Sequence, residues 1–232
     1  IGSNLAAPLF KKWICHCYRQ GDVVITPTEY SRELLRNYGL YRKIYALTNG
    51  VDTEFFHKTE QASGQFRVLF HIPVDKKVVI SAGHLIQRKG ILDFLETARR
   101  MPDVLFLWFG GGNHALIPKE IKKAVAEKPE NVIFAGFMPP VILRDAYCGA
   151  DAFAFFSYEE TEGIVVLEAL SCEIPVIVRD IPVYGWRTVC RCGKQRIRFL
   201  MNRRSERFCP GNKRKRYGAE PKLAEFWRRN TA

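Results

Sequence analysis

The sequence lacks several features that would assign it to a common class of protein. It has no apolar run of about 18 residues, so no membrane-spanning helix is predicted. Its seven cysteines include no pair at the usual zinc-binding spacing, and its histidines form no His-x-x-x-His motif. The glycines at 110–112 are not followed by Gly-Lys-Ser/Thr, so they predict a tight turn at a strand end and not a P-loop.

Acidic residues are scarce only at one end of the chain. The net charge is +12, yet residues 1–184 contain 21 Lys and Arg against 21 Asp and Glu. Residues 185–232 contain 15 basic and 3 acidic residues, so the whole excess lies there. A nucleic-acid-binding protein that acts through this Arg/Lys-rich tail is therefore an alternative function, although the tail contains no recognisable nucleic-acid-binding motif.

The hydrophobic pattern predicts a doubly wound α/β fold. From residue 78 onward, short apolar runs alternate with segments of helical periodicity. Strands that are apolar throughout are buried on both faces, which requires helices on both sides of a parallel sheet. Strands are predicted at 23–26, 43–47, 78–81, 104–109, 132–134, 152–156 and 175–178. Helices are predicted at 5–19, 28–38, 90–100, 115–127, 141–149 and 163–171, with a polar connection at 52–66 and no regular structure after 185 except a weak helix near 222–229.

The segment from Ser157 to Leu170 carries the most informative motif. A buried strand leads into a polar loop, and Gly163 then opens a helix whose free N–H groups suit a diphosphate. Glu160 in the loop can reach sugar hydroxyls, and Glu168 inside the helix can accept hydrogen bonds from a ribose. Two glutamates at this spacing alone indicate only a solvated surface, so the interpretation depends on the strand, the glycine and the helix together.

A second strand end carries basic residues, in the stretch from Ala82 to Gly90. Lys89, with Arg88 beside it, could neutralise phosphate charge at the start of the next helix. Ordinary surface basic residues explain this stretch equally well. The helix at 5–19 carries Lys11 and Lys12, so it either packs as an ordinary amphipathic helix or lies on an anionic membrane surface.

The order of these motifs resembles a known family. Asn49-Gly50-Val51-Asp52, the stretch 83–90 and the stretch 160–168 are similar to the retaining glycosyltransferases of family 4, which have the GT-B fold. The stretch 157–184 resembles most the bacterial 1,2-diacylglycerol 3-glucosyltransferases, which use UDP-glucose to make a membrane glycolipid. This resemblance implies a Rossmann-like C-terminal half of a GT-B glycosyltransferase, with a remnant of the N-terminal half and an irregular basic tail.

The resemblance also implies roles for particular residues. Glu160 and Lys89 would act at the reacting centre, with Glu160 on the glucose and Lys89 offsetting phosphate charge. Glu168 would hold the ribose. The other donor-binding positions would be the backbone of Gly163, Ile164 and Val165 at the phosphates, His84 (where the family usually has Arg) and Arg88, and Phe137 and Met138 around the uracil. No metal or other cofactor is expected.

The same resemblance divides the chain and names its partners. Residues 1–45 would be a remnant of the acceptor domain, 46–184 an incomplete donor domain, and 185–232 a basic tail or an out-of-frame translation. We expect a UDP-sugar donor, a lipid acceptor such as 1,2-diacylglycerol, no nucleic acid, and a cytoplasmic location at the inner face of the membrane. A chain truncated in this way would be poorly active, and its sequence leaves the acceptor, the choice of glucose or galactose, and the oligomeric state open.

Overall fold

The computed structural model describes residues 7–112, 114–184, 189–191 and 197–200. The helices are α1 Ala7–Arg19, α2 Glu29–Asn37, α3 Glu60–Leu69, α4 Ile91–Arg100, α5 Lys119–Ala126, α6 Pro140–Gly149 and α7 Ile164–Ser171. The strands are β1 Val23–Thr26, β2 Lys43–Ala46, β3 Val78–Ala82, β4 Leu105–Phe109, β5 Val132–Gly136, β6 Ala152–Phe155, β7 Val176–Arg179, β8 Val189–Arg191 and β9 Ile197–Leu200. No helix in these ranges is long and apolar enough to cross a membrane.

The larger sheet has the strand order β5-β4-β3-β6-β7-β9-β8. Pairing is parallel from β5 to β7, and the chain runs outward from β3 on one side before it returns to β6 on the other. The strand order therefore reverses between β3 and β6. In doubly wound sheets, ligands bind in the crevice outside the carboxyl ends of the strands at such a reversal.

Helices cover both faces of this sheet, as the apolar strands require. All five residues of β3 are buried. On one face, Phe66 of α3, Tyr147 of α6 and Leu170 of α7 join a single core cluster. On the other face, Phe94 of α4 and Ile121 of α5 belong to a second cluster. The doubly wound arrangement predicted from the sequence is confirmed.

A smaller parallel pair of strands, β1 and β2, precedes the main sheet and forms the first lobe (residues 7–46) together with α1 and α2. Its core consists of Val24, Leu35, Leu40 and Ile44. The side chain of Thr28 accepts a hydrogen bond from the backbone N–H of Ser31 at 3.2 Å, and this N-cap fixes the start of α2. The helix predicted at 28–38 is confirmed, with Thr28 as its N-cap.

The polar connection predicted at 52–66 is wrong, because α3 occupies its second half. Thr59 caps this helix by accepting from the N–H of Ala62 at 3.0 Å. Only Ala62 and Phe66 are buried on it, and Gly64 lies on its exposed side. A face of two apolar residues is too narrow to show as helical periodicity. The helix packs closely against α6, where a Cβ on Gly149 would lie 2.6 Å from the Phe66 ring, so tertiary packing and not propensity stabilises it.

The segment after residue 185 also differs from its prediction of no regular structure. Strand β9 pairs antiparallel with β7, from Val176 opposite Leu200 to Arg179 opposite Ile197, and β8 pairs antiparallel with β9. These stretches, Val189–Arg191 and Ile197–Leu200, are only three and four residues long, which is too short for a periodic pattern to be recognised among the surrounding arginines. The weak helix predicted near 222–229 lies outside the described residues.

Candidate functional site

The loop after β6 contains a buried glutamate, Glu160, that is paired with two basic side chains. Glu160 is only 9% exposed. Its Oε1 lies 2.5 Å from Lys89 Nζ and 3.7 Å from Arg88 Nη1, and it accepts from Ser157 Oγ at 2.7 Å. Two basic side chains thus face the carboxylate of Glu160. The structure brings together the predicted residues Glu160, Lys89 and Arg88.

Gly163 sits where the loop turns into α7. Its φ is 78°, in the left-handed region that glycine adopts without strain. A Cβ at this position would lie 2.4 Å from Tyr184 Oη, so glycine is also required for space. Ile164 and Val165 form the first turn of α7, where backbone N–H groups have no partner within the helix. Such a helix start favours an anion.

Glu168 lies one turn further along α7 and is half-buried. Its Oε2 accepts a hydrogen bond from the Tyr147 hydroxyl of α6 at 3.1 Å. Burial raises the pKa of Glu168 above its ordinary value, and the hydrogen bond from Tyr147 opposes that shift. Burial and the nearby Glu168 charge raise the pKa of Tyr147, so its hydroxyl remains a donor. Sequence reasoning did not find Tyr147, because nothing in the sequence of α6 points to Glu168.

The loop after β3 packs closely on the loop after β4. A Cβ on Gly110 (φ 100°) would lie 2.5 Å from the carbonyl oxygen of Gly83. The exposed ring of His84 approaches the carbonyl of Gly111 with its Nδ1 at 3.0 Å. Because a carbonyl only accepts, Nδ1 carries the proton, and Nε2 of the neutral ring is an acceptor. His84 can therefore donate to a phosphate through Nε2 only as the imidazolium, which refines its predicted role.

Phe137 and Met138 follow β5 at the same edge of the sheet. The Phe137 side chain is 90% exposed, whereas Met138 packs in part against the core. The N–H of Gly110 donates to the carbonyl of Gly136 at 2.7 Å, which ties the end of β5 to the loop after β4. An exposed ring at this edge is available for a base to stack on.

A link between the loop after β6 and the first lobe was not predicted. Glu162 is 7% exposed and accepts from the Thr48 hydroxyl and, at 2.6 Å, from Asn49 Nδ2. The Thr28 hydroxyl donates to the carbonyl of Thr161 at 2.9 Å. These partners lie more than 100 positions away in the sequence, so no local pattern could reveal them.

A cavity of about 650 Å³ lies beside this link, between α2, β2 and α7. Glu29, Glu33 and Glu162 contribute carboxylates to its wall, and Leu167 and Val183 contribute apolar surface. Over the part of the chain that the structure describes, no group of three or more His, Cys, Asp or Glu side chains is placed to hold a metal ion.

Two family models match the chain. The model of the glycosyl transferases group 1 matches residues 65–202, and that of glycosyltransferase family 4 matches residues 2–55. The first match runs past residue 184, where the sequence analysis places the end of the family-like region. It therefore includes the two strands that follow the main parallel sheet.

Relatives of known activity match over about half of their own length. The processive diacylglycerol alpha-glucosyltransferase of Acholeplasma laidlawii is 42% identical over 182 residues, covering 78% of this chain and 55% of that protein. The alpha-galactosylglucosyldiacylglycerol synthase of Streptococcus pneumoniae is 29% identical over 194 residues, covering 79% of this chain and 52% of that protein. Both names describe the glycosylation of a diacylglycerol lipid.

Solved structures share the fold. Sucrose-phosphate synthase from Thermosynechococcus elongatus aligns with a TM-score of 0.67 and 22% identity, covering 77% of this chain and 46% of that one. Anabaena HepE, crystallised with UDP and glucose, aligns with a TM-score of 0.64 and 19% identity, covering 74% of this chain and 48% of that one. At these identities the likeness concerns the fold alone.

Proposed function

Because this chain belongs to the glycosyl transferases group 1, with the doubly wound fold of GT-B enzymes, we propose that it binds the nucleotide-sugar donor of a retaining hexosyltransferase. The donor is UDP-glucose and the acceptor is a lipid such as 1,2-diacylglycerol. The observation that carries the proposal is the constellation around α7. Gly163, with a left-handed backbone conformation, opens the helix. Glu160, which is paired with Lys89, precedes it, and half-buried Glu168 lies one turn inside it.

The diphosphate binds at the start of α7 in this proposal. The free N–H groups of Ile164 and Val165 and the positive end of the helix dipole face its oxygens. Lys89 and Arg88 both lie beside Glu160, and in this proposal their side chains also offset the charge of the phosphates. The helix start and these side chains stabilise the leaving diphosphate, and no metal is required.

The nucleoside binds deeper along the same helix. Glu168 accepts hydrogen bonds from the two ribose hydroxyls, while the Tyr147 hydroxyl of α6 donates a hydrogen bond to its Oε2. The exposed ring of Phe137, with Met138 beside it, lines the uracil. Glu160 contacts the glucose hydroxyls from the loop after β6. In a retaining transfer these groups mainly position the donor and stabilise developing charge.

The lipid acceptor and the membrane location rest on the relatives. Their names place diacylglycerol or a glycosylated diacylglycerol among their substrates. We propose that the protein acts at the cytoplasmic face of a membrane and that this chain, which spans about half the length of those relatives, has little transferase activity alone. The nucleic-acid alternative rests on residues 185–232, most of which lie outside the described residues, and no comparison supports it.

Calorimetric titration of the full chain with UDP and UDP-glucose, in the presence of EDTA, tests the donor site. We expect micromolar binding that EDTA does not change, and about tenfold weaker binding for Glu168→Ala. Glu130→Ala is the matched control, because Glu130 is exposed and precedes β5 at the opposite edge of the sheet. No binding by the wild-type chain, or equal binding by Glu168→Ala, would contradict the proposed site. A UDP-galactose titration distinguishes the two sugars.

A further inference from the structure

Glu162 is a buried carboxylate with no place in the proposed contacts to the donor. It is 7% exposed, and both of its oxygens are used. Oε1 accepts from the Thr48 hydroxyl, and Oε2 accepts from the backbone N–H of Asn49 at 3.3 Å and from Asn49 Nδ2 at 2.6 Å. A buried carboxylate is costly unless it is hydrogen-bonded, so these donors are what allow it to stay there.

The donors to Glu162 belong to the segment that leaves the first lobe. Thr48 and Asn49 follow β2, and the Thr48 hydroxyl also accepts from the N–H of Gly50 at 3.0 Å, which orders this segment itself. Thr161, the residue before Glu162 in the loop after β6, is also bound by the first lobe, since its carbonyl accepts from the Thr28 hydroxyl. One short stretch of loop is therefore fixed to α2 and to the segment after β2 by side chains from both.

This stretch lies between the groups that would contact the donor. Glu160 is two residues before Glu162, and Gly163 with the first turn of α7 follows it directly. The loop is too short for these groups to move independently of Glu162. If the hydrogen bonds to Glu162 are removed, its carboxylate must either stay buried without donors or move toward water. A movement toward water would also displace the start of α7.

We propose that Glu162 is a positioning residue for the donor. Through its hydrogen bonds to the segment after β2, it fixes the loop and the helix start that would bind the diphosphate. This inference rests on the proposed function, because it concerns the same site. Glu162 touches no part of the donor and acts through the loop. Its removal therefore weakens binding of the diphosphate at the start of α7. Binding of the nucleoside changes little, since Glu168 is held one turn further along α7 by the Tyr147 hydroxyl and Phe137 follows β5.

The test compares UDP with uridine on the full chain. For Glu162→Ala we expect about tenfold weaker binding of UDP, equivalent to about 1.4 kcal/mol, and less than about twofold change for uridine, followed by calorimetry or by NMR titration. Asn49→Ala should behave similarly, and the double variant should be no worse than Glu162→Ala, because both changes remove the same link. Glu130→Ala is the control for an exposed carboxylate.

The conservative variant Glu162→Gln covers the case in which the alanine variant does not fold. It keeps one acceptor oxygen but turns an NH₂ group toward a donor, so UDP affinity should fall by about threefold. Equal loss for uridine and UDP would show a merely structural role, and unchanged UDP affinity in a folded variant would overturn the inference. A wild-type chain that binds no UDP would instead contradict the proposed function, so the two failures are distinguishable.

Discussion

Replacing Gly163 by alanine should lower the free energy of unfolding for two separable reasons. The first is conformational, because φ at this position is 78° and a Cβ in the left-handed region costs about 1–2 kcal/mol. The second is steric, because the new Cβ would lie 2.4 Å from Tyr184 Oη. Tyr184 is buried, so it has little freedom to move, and overpacking of this kind costs about 1–3 kcal/mol. We expect a total loss of about 2–5 kcal/mol.

A second substitution separates the two causes. Once the hydroxyl is removed by Tyr184→Phe, the nearest ring carbon lies 3.4 Å from the new Cβ, which the ring can accommodate with a small shift. In the Gly163→Ala background, Tyr184→Phe should therefore recover the steric part of the loss and leave the conformational part. Urea unfolding of the four proteins in this cycle measures the interaction directly.

Gly64→Ala is the matched control. Gly64 lies within α3, and a Cβ there would meet nothing within 4 Å. This substitution should raise the free energy of unfolding by about 0.5–1 kcal/mol, because alanine favours the helix. If Gly163→Ala is as stable as the wild type, or if Tyr184→Phe recovers nothing in its presence, the steric argument for glycine at the start of α7 is refuted.

Three further predictions concern charges at the site. Burial raises the pKa of Glu168 in the folded state, so the protonated carboxyl stabilises the fold at low pH. The free energy of unfolding of the wild type, relative to that of Glu168→Gln, should therefore fall as the pH rises from 4.5 through the folded-state pKa. Urea unfolding over that pH range measures this difference. Lys89→Met removes the nearest cation from buried Glu160 and should cost about 3 kcal/mol, largely recovered by adding Glu160→Gln; equal stability of the single variant and the wild type would exclude this. His84→Arg supplies a permanent charge where Nε2 of the neutral ring only accepts. Calorimetry should therefore show about tenfold tighter UDP binding, and no gain would place residue 84 away from the phosphates.

The sequence was informative where a property belongs to a single element. Apolar runs such as Val78–Ala82 predicted buried parallel strands, and a glycine after a polar loop predicted the start of α7. Helix α3 was missed because its buried face consists of Ala62 and Phe66 alone. Local patterns describe what one element needs, and they are weak where packing against another element, here α6, supplies most of the stabilisation.

Pairing between distant side chains was not predictable from the sequence in the same way. The topology of the sheet brings the carboxyl ends of β3 and β6 together. It does not specify that Lys89 approaches Glu160 across 71 positions, or that the Tyr147 hydroxyl meets Glu168 across 21. Such contacts depend on loop conformations and rotamers that form only in the packed structure. Sequence reasoning therefore named most of the proposed site residues individually but not the hydrogen bonds among them.

The link from Thr28 and Asn49 to the loop after β6 has a consequence for the order in which the molecule folds. These contacts close loops of 133 and 113 positions in the chain, among the longest in the described structure. Contacts of such separation form late, because loop-closure entropy must be overcome before they contribute. During synthesis, the first lobe emerges from the ribosome well before its partners do. We therefore expect the start of α7 to reach its final position only after both sheets have formed, which makes the donor site one of the last parts of the protein to mature.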